Sequence, residues 1–580
     1  MKNLLNKVKN KYFALASLLA ILFSITAALG GANGFDEVIQ FYGLEGIINS
    51  GKDSLLLRSP DFNNIHANLE YYGIALRLPA YIAWACLTLL RRALDPLGNL
   101  GIAENPKLGL PDAFTSGFFE VSHIFSTAYL IVTGYIAILF SRKLGIKKAQ
   151  ASGVAVVLLP TLLGFSIISV KDTAFAAAYF LYSLSLARIN ESEKPESCKP
   201  QRKQLLFHYL IAGLLISIYT TGVAVVLTSQ ATFLINKAGR LQSISKRQVL
   251  AGLRSVLNGS ILCAIAWLIF TPQAWSDPLS FAKSSLSFTL DGSKAWGGCT
   301  TLLGTCMRND ENWNFLHYTS TWIFSQFPLL LLIGLFFSAI ATTKRAFDFS
   351  NRLAAQREKP AEKGGFFFKP YQLAITLQLS LIPAGLILTN GFIFDSTRHL
   401  LFLFPPLTVI ACWGLNKAHK ALTQSFLLLP ATIATFGLCL TWGIDLALLH
   451  PYQYTYLNEA AQARGINWKN TDMDYYFASD AESLRSYMRS DHYHSTLAKG
   501  GINIKGAPGL EIAFHKQGFL RRPNSDSFFT NHARQPGSTT KDGCVQIAPP
   551  VTRKQLLGHR NIYGTPNLCP SDLYSEWKPF

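Results

Sequence analysis

Hydrophobic residues in this chain are grouped in long runs that are separated by short polar segments. An α-helix needs about 20 apolar residues to cross the hydrocarbon core of a bilayer. The runs predict eleven membrane-spanning helices, near 12–30, 122–140, 150–169, 173–188, 205–219, 222–236, 255–271, 327–342, 371–389, 400–415 and 424–443. The expected fold class is an all-α polytopic membrane protein.

Basic segments between alternate runs predict the orientation. Lysine and arginine accumulate on the cytoplasmic side of a membrane. The basic segments are the N-terminus, 142–148, 188–203, 237–254, 344–369 and 417–420. All of them share one side if the N-terminus is cytoplasmic, which leaves the C-terminus outside. Because small residues follow the first run at 27–30, a cleaved signal peptide is the alternative for that run.

The segment 72–90 is also apolar, but it is a poor candidate for a span. It contains Arg77 and Pro79, and Arg91 and Arg92 follow it. If it crossed the membrane, the basic segment 142–148 would move to the outer side. We therefore predict a helix that lies in the outer interface, with a true span as the alternative.

This topology divides the chain into two domains. Residues 1–450 form a membrane domain with two long outer loops, 31–120 and 271–326. Residues 451–580 form a small extracytoplasmic domain that is rich in glycine, proline, asparagine and charge, and we expect an α+β or irregular fold there.

Composition agrees with a membrane protein. The chain is 49% hydrophobic and 15% charged, whereas soluble domains have about 25% charged residues. The net charge of +19 does not indicate a nucleic-acid partner, because about half of the lysines and arginines lie in the short cytoplasmic segments. The sequence has no P-loop, no dinucleotide-binding fingerprint and no metalloprotease histidine pair.

Four cysteines lie in predicted outer regions: Cys299, Cys306, Cys544 and Cys569. An even number of outer cysteines fits disulfides in an oxidising compartment. Cys299 and Cys306 are separated by a short loop, so we predict that they pair with each other.

Asp36 and Glu37 are the most informative polar residues, because they follow the first span on its outer side. Acids at this position also favour a helix start, which is the structural alternative. Adjacent carboxylates beside a membrane tend to have raised pKa values, which suits a general base. We treat the pair as the candidate catalytic group.

Other charged residues lie at predicted outer ends of spans. Lys171 and Asp172 follow the third span, in a predicted short turn, and Arg398 and His399 precede the tenth. An arginine there can bind a lipid phosphate through its planar fork. A local ion pair and an interfacial anchor are the structural alternatives. His123, at the start of the second span, is a further candidate.

Taken in order, several motifs resemble the GT-C class of membrane glycosyltransferases. The likeness is strongest to glycosyltransferase family 39, to protein O-mannosyltransferases and to lipid A aminoarabinose transferases. It rests on Phe35-Asp36-Glu37-Val38, Asn68-Leu69-Glu70-Tyr71-Tyr72-Gly73, Pro160 with Lys171-Asp172, the loop segments 271–278 and 317–323 with Tyr318, Arg398-His399-Leu400-Leu401-Phe402-Leu403-Phe404-Pro405, and His450-Pro451-Tyr452-Gln453-Tyr454-Thr455-Tyr456-Leu457-Asn458-Glu459.

The resemblance implies a sugar transferase that uses a polyprenyl-phosphate donor at the outer face of the membrane. Asp36 or Glu37 would be the base, and Lys171, Arg398 and His399 would bind the donor phosphate. Tyr71, Tyr72, Tyr318 and Tyr454 would belong to the site. The implied partners are the lipid-linked donor, the bilayer and a glycan, lipid or protein acceptor. The resemblance implies no certain cofactor, and a divalent metal ion, Mg²⁺ or Mn²⁺, remains an open alternative.

Two other functions remain open at this point. A flippase or transporter of lipid-linked sugars would need charges along a path through the membrane, whereas the ionisable residues here lie at span ends. A polysaccharide polymerase or ligase would use the same kind of donor. Because the predicted outer regions have no glycosylation sequon, a bacterial inner membrane is favoured over the endoplasmic reticulum.

The topology is directly testable with reporter fusions. A periplasmic alkaline phosphatase fused after residue 580 should be active, and a cytoplasmic reporter fused there should be inactive, because the basic segments keep the N-terminus inside. Fusions at positions 70 and 100 should report the same side, since segment 72–90 does not cross. An active cytoplasmic reporter at the C-terminus would rule out the eleven-span topology.

Overall fold

Helices form most of the structure, a computed structural model of the full chain. In order, they are α1 (Lys2–Leu29), α2 (Leu78–Leu94), α3 (Phe118–Lys143), α4 (Ala149–Val157), α5 (Pro160–Ile168), α6 (Val170–Glu191), α7 (Gln201–Ile218), α8 (Gly222–Ala238), α9 (Lys246–Phe270), α10 (Pro278–Ala295), α11 (Phe315–Gln326), α12 (Leu329–Ala355), α13 (Pro370–Leu388), α14 (Phe404–Leu422), α15 (Leu428–Leu448) and α16 (Glu459–Ala463). Three short 3-10 helices lie at Pro272–Ala274, Arg398–Leu403 and Gln453–Thr455.

The structure describes residues 2–29, 77–94, 104–105, 110–111, 118–168, 170–191, 201–238, 246–295, 300–308, 312–355, 369–393, 396–423, 425–467 and 471, and the strands between 504 and 579. The first four strands are β1 (Glu104–Asn105), β2 (Leu110–Pro111), β3 (Thr300–Leu302) and β4 (Thr305–Met307). The strands between 504 and 579 are β5 (Ile504–Lys505), β6 (Phe519–Arg521), β7 (Val545–Gln546), β8 (Val551–Gln555), β9 (Gly558–Ile562), β10 (Asn567–Leu568) and β11 (Trp577–Pro579). All their pairings are antiparallel, in the orders β1-β2, β3-β4, β5-β10-β7, β8-β9 and β11-β6.

The expected fold class is confirmed: the protein is mostly helical, and each predicted span coincides with a helix or a pair of helices. Among the described residues, six helices are long and apolar enough to cross a membrane, or seven if the bent pair α4–α5 is one span. The number of eleven spans stays a prediction, because the other helices are shorter or less apolar.

The predicted third span is two helices rather than one. α4 and α5 meet at an angle of 45°, and Pro160 is the first residue of α5. A proline lacks the N–H that would continue the helical hydrogen bonds, so it favours a break here. At the break, the indole N–H of Trp442 donates to the carbonyl of Leu158 at 2.9 Å, which satisfies a polar group that would otherwise be costly in lipid.

Lys171 and Asp172 lie in the first turn of α6, so the prediction that they form a turn is wrong. The helix begins at Val170, earlier than apolarity alone indicates. A carboxylate near a helix N-terminus interacts favourably with the exposed N–H groups of the first turn. Asp172 is therefore compatible with an early helix start.

Close packing of α12 and α14 forms one side of the bundle. Gly334 and Gly414 face each other there: a Cβ on Gly414 would lie 2.0 Å from the Gly334 carbonyl oxygen. Small residues allow the backbones of two membrane helices to approach closely. Ser338 adds a hydrogen bond from its hydroxyl to the carbonyl of Ile410, at 2.6 Å.

Two helices have large apolar surfaces outside the protein core. In α2, the buried residues Ala80, Trp84 and Thr88 recur every fourth position, and Trp84 packs against Phe118 of α3. Ile82, Leu87, Leu89 and Leu90 of α2 are apolar and exposed, which is compatible with a lipid-facing helix. α15 is exposed over most of its length and is buried near its C-terminal end, at Trp442, Asp445 and Leu446.

The C-terminal end of α15 is also where residues 555 and 556, near the C-terminus of the chain, contact the helices. Asp445 accepts hydrogen bonds from the Gln555 side chain and from the Leu556 backbone N–H, both at 2.8 Å. Gln555 also donates to the Leu457 carbonyl at 3.1 Å. Because Asp445 and Gln555 are both buried, these bonds are shielded from water.

A second close approach is between α5 and the 3-10 helix Gln453–Thr455. A Cβ on Gly164 would lie 2.0 Å from the backbone nitrogen of Tyr454 and 2.7 Å from its Cα. Backbone atoms cannot move aside as the end of a flexible side chain can. Glycine at position 164 therefore sets how closely the 450–458 segment packs on the bent span.

We expect Gly164→Ala to destabilise the protein by about 1–3 kcal/mol, the usual effect of overpacking. Gly437→Ala is the matched control, because this helical glycine in α15 has no atom within 4 Å of its added Cβ. Thermal unfolding of purified protein should show a lower Tm for Gly164→Ala and an unchanged or higher Tm for the control. Equal Tm values for the two variants would contradict the packing argument.

Candidate functional site

Four of the sequence-predicted residues, Lys171, Asp172, Arg398 and His399, lie at adjoining helix ends. The first two are in the first turn of α6, and the others open the 3-10 helix that leads into α14. α6 and this 3-10 helix pack against each other. Segments that are more than 200 residues apart in the sequence are thus combined into one charged cluster.

Asp172 is held by two partners. The Tyr219 hydroxyl donates to its Oδ1 at 2.5 Å, and Arg398 Nε lies 3.9 Å from its Oδ2. Both members of the ion pair are buried, with side-chain exposures of 5% for Arg398 and 3% for Asp172. At 3.9 Å the pair is an electrostatic contact rather than a short, aligned hydrogen bond.

The Arg398 guanidinium also contacts the neighbouring histidine ring, with Nη2 3.0 Å from His399 Nε2. Arginine can only donate, so Nε2 of His399 accepts this bond and carries no proton. The ring is therefore neutral in this arrangement, with its proton on Nδ1. The charge of the cluster then comes from Lys171, Asp172 and Arg398.

Lys171 is the second cation of the cluster. The residue is 9% exposed, and its ammonium lies 6.0 Å from the centre of the Tyr219 ring. Lys171 and Arg398 thus place two cations in a buried region, with Asp172 beside Arg398. Cations in such a position can make charge-assisted hydrogen bonds with an anion.

Gln326, at the end of α11, connects the chain segments around this cluster. Its Nε2 donates to the Tyr454 carbonyl at 2.9 Å, and its Oε1 accepts from the hydroxyl of Thr397, the residue before Arg398. Its backbone carbonyl accepts from Thr161 at 3.2 Å. One buried amide residue therefore bonds α5, the Arg398 segment and the 450–458 segment.

Tyr318 supports the same segment from the other side. Its hydroxyl accepts the backbone N–H of Ser396 at 3.0 Å and lies 3.2 Å from the Thr300 hydroxyl. Ser396 has a φ of 57°, a left-handed conformation that side-chain-bearing residues adopt at a cost. The hydrogen bond to Tyr318 helps to hold that turn, two residues before Arg398.

Tyr454 is also buried, and it packs against Phe165 with ring centroids 5.7 Å apart. Its structural role is clear from the Gln326 and Gly164 contacts described above. His123 is buried in α3, where the Thr127 hydroxyl bonds its backbone carbonyl at 2.9 Å. The roles proposed for Tyr454 and His123 in a reaction stay predictions.

Several predicted residues lie outside the residues that the structure describes: Asp36, Glu37, Tyr71, Tyr72, Cys299, Cys544 and Cys569. Cys306 is described and is disulfide-bonded. It lies in β4, opposite Thr301 of β3, on the strand pair that Cys299 directly precedes in the sequence. Its pairing with Cys299 stays a prediction.

Tyr219 and Gln326 were not predicted as site residues. Tyr219 lies in the polar Tyr219-Thr220-Thr221 turn between two apolar runs, and Gln326 is a single amide between aromatic residues before Pro328. Polar side chains isolated in apolar surroundings are candidates for buried hydrogen-bond networks. That signal was present in the sequence, although it does not identify the partners.

The charged cluster does not fit a divalent metal ion. Mg²⁺ and Mn²⁺ prefer several oxygen ligands, whereas the four residues that define this cluster supply one carboxylate, one imidazole and two cations. Within the described parts of the chain, no group of three or more His, Cys, Asp or Glu residues is arranged to hold a metal. The Asp36-Glu37 pair is outside those parts.

No protein-family model and no curated protein sequence matches the chain. Among solved structures, the chain is similar to the crystal structure of ArnT from Cupriavidus metallidurans bound to undecaprenyl phosphate, with a TM-score of 0.41 and 12% sequence identity. The match covers 75% of this chain and 66% of the ArnT chain, slightly less than two thirds of that protein.

ArnT is a lipid A aminoarabinose transferase of the GT-C class. A likeness at this TM-score carries no argument about function. The chain's own charged residues carry the proposal for its function.

Proposed function

We propose that the protein transfers a sugar from a polyprenyl-phosphate donor to an acceptor hydroxyl at the outer face of the membrane. The observation that carries this proposal is the pair of buried cations, Lys171 and Arg398, at adjoining helix ends, with Asp172 beside Arg398. Two buried cations at the ends of apolar helices suit the phosphate of a lipid. The sugar is a hexose or pentose, and the acceptor is a glycan, lipid or protein.

The reaction breaks the bond between the anomeric carbon and the phosphate oxygen of the donor. The phosphate leaves with the bonding electrons, so negative charge develops on its oxygen. Fixed cations at that position stabilise the transition state more than the ground state. Arg398 would bind two phosphate oxygens through its fork, and Lys171 would act as a compact charge.

Asp172 and Tyr219 have a supporting role in this scheme. Asp172 holds the Arg398 guanidinium, and the Tyr219 hydroxyl fixes the carboxylate by its 2.5 Å hydrogen bond. The cation is thus oriented before the donor binds, which reduces the entropy that is lost on binding. Neutral His399 adds no charge to the cluster and contacts the guanidinium at 3.0 Å.

Asp36 is the proposed general base, and Glu37 either shares this role or orients Asp36. The carboxylate takes the proton of the acceptor hydroxyl while its oxygen attacks the anomeric carbon from the side opposite the phosphate. A single displacement of this kind inverts the anomeric configuration. The products are the glycosylated acceptor and polyprenyl phosphate, with the proton on the carboxylate.

Replacement of Arg398 tests the phosphate-binding role. Arg398→Ala should lower kcat/KM for the donor by about 10–150-fold, since a hydrogen bond to a charged group contributes about 1.5–3 kcal/mol. Arg398→Lys should be less harmful, because it keeps the charge and loses the fork. The measurement is transfer from a polyprenyl-phosphate sugar by purified protein.

Arg345→Ala is the matched control for this experiment. Arg345 stacks on Trp413, with its guanidinium carbon 5.0 Å from the ring centroid, at the predicted cytoplasmic end of α12. This variant should keep the wild-type kcat and donor KM. Wild-type kinetics in both Lys171→Ala and Arg398→Ala would show that the phosphate binds elsewhere.

Replacement of Asp36 tests the general base. Asp36→Asn keeps the size of the side chain and removes its basicity, so transfer should fall by about 10²–10⁴-fold. Donor binding and elution as a single species should stay normal. Glu37→Gln should be equally severe if the two carboxylates share the role, and milder if Glu37 orients Asp36. Full activity in both single variants and in the double variant would show that neither Asp36 nor Glu37 is the general base.

A further inference from the structure

The outer end of α1 is bonded to the segment that follows α15. His450 Nε2 lies 2.8 Å from the Thr26 hydroxyl oxygen, and the His450 ring packs on Phe23 with ring centroids 5.0 Å apart. Phe23 and Thr26 are one helical turn apart, so both contacts involve the same face of α1. This contact lies just before Leu29, where α1 ends.

The hydrogen bonds around His450 form a chain with one consistent direction. The Gln453 amide nitrogen donates to the Leu446 carbonyl at 3.2 Å and lies 3.0 Å from His450 Nδ1. Nδ1 therefore accepts, and Nε2 carries the ring proton. The Thr26 hydroxyl uses its own proton on the Leu22 carbonyl, at 2.8 Å, so its oxygen accepts from His450.

The other end of this segment is bonded to the end of α11, on both sides of Gln326. Asn458 donates its backbone N–H to the Ser325 carbonyl and its side-chain amide to the Phe327 carbonyl, both at 2.8 Å. Between these ends, the Tyr454 carbonyl accepts from Gln326, which in turn accepts from Thr397, beside Arg398. The 450–458 segment thus connects the outer end of α1 to the Arg398 turn.

We propose that the 450–458 segment positions the outer end of α1 relative to the Lys171–Arg398 cluster, with His450 and Thr26 as positioning residues. This inference rests on the proposed function, because α1 leads directly into the loop that carries Asp36. Asp36 follows Leu29 by seven residues, and a chain of seven residues spans at most about 25 Å. The position of that helix end would thereby limit the distance between the base and the donor phosphate.

Thr26→Val tests the contact with little change in shape, because valine has the same branching and lacks the oxygen. We expect kcat for sugar transfer to fall about tenfold, at a donor KM within about twofold of wild type, since the phosphate-binding cations are untouched. Thr26→Ser keeps the hydroxyl and should restore kcat. His450→Ala should lower kcat at least as much as Thr26→Val.

Thr432→Val is the matched control. Thr432 lies on an exposed face of α15, and its hydroxyl bonds the carbonyl of Leu428, four residues earlier, at 2.7 Å, as Thr26 bonds Leu22. Its replacement should leave kcat and KM within about twofold of wild type. A merely helix-internal role for Thr26 would give the same small effect in both variants and would overturn the inference.

A double-mutant cycle separates this inference from the proposed function. The effects of Thr26→Val and His450→Ala on Tm should be non-additive, because the two changes remove one interaction. Additive Tm effects would overturn the inference even if the enzyme assay failed. If Thr26→Val kept the wild-type kcat while Asp36→Asn lost transfer, this inference would be overturned and the proposed function would stand. Full activity in Asp36→Asn, Glu37→Gln and their double variant would show that neither carboxylate is the base, without affecting the Thr26–His450 contact.

Discussion

The hydrogen bonds of the Gln326 side chain are the interaction on which the arrangement of the site depends. A primary amide has both a donor and an acceptor, and here each is used by a different distant segment: the Tyr454 carbonyl and the Thr397 hydroxyl. In a buried, apolar setting, loss of either bond would leave a polar group without water to replace its partner. The segments are thus held in one relative position, and Arg398, next to Thr397, has a fixed place.

The positive charge of the cluster is stable only because its surroundings compensate for dehydration. Lys171 and Arg398 are removed from water by helices that are apolar elsewhere, and Asp172 lies beside Arg398 as its counter-charge. The hydrogen bond from the Tyr219 hydroxyl holds this carboxylate in place without adding another negative charge.

The positions of helices were predictable from the sequence, since runs of apolar residues report burial in lipid or protein directly. The placement of Lys171, Asp172, Arg398 and His399 in one site was expected from the motifs they resemble. The bend at Pro160 and the early start of α6 were missed, because hydropathy does not register where backbone hydrogen bonding changes. Tyr219 and Gln326 were missed for a related reason: their importance lies in partners that are distant in sequence.

The 3-10 helix Arg398–Leu403 changes the depth at which the arginine lies. A 3-10 helix rises about 2.0 Å per residue and an α-helix about 1.5 Å, so six residues extend the chain by about 3 Å more. Arg398 is therefore farther from the centre of the α14 span than a continuous α-helix would place it. Because Arg398 is buried, a shift of this size changes which groups, Asp172 among them, lie close enough to compensate its charge. The local winding of the chain thus determines which partners the guanidinium meets.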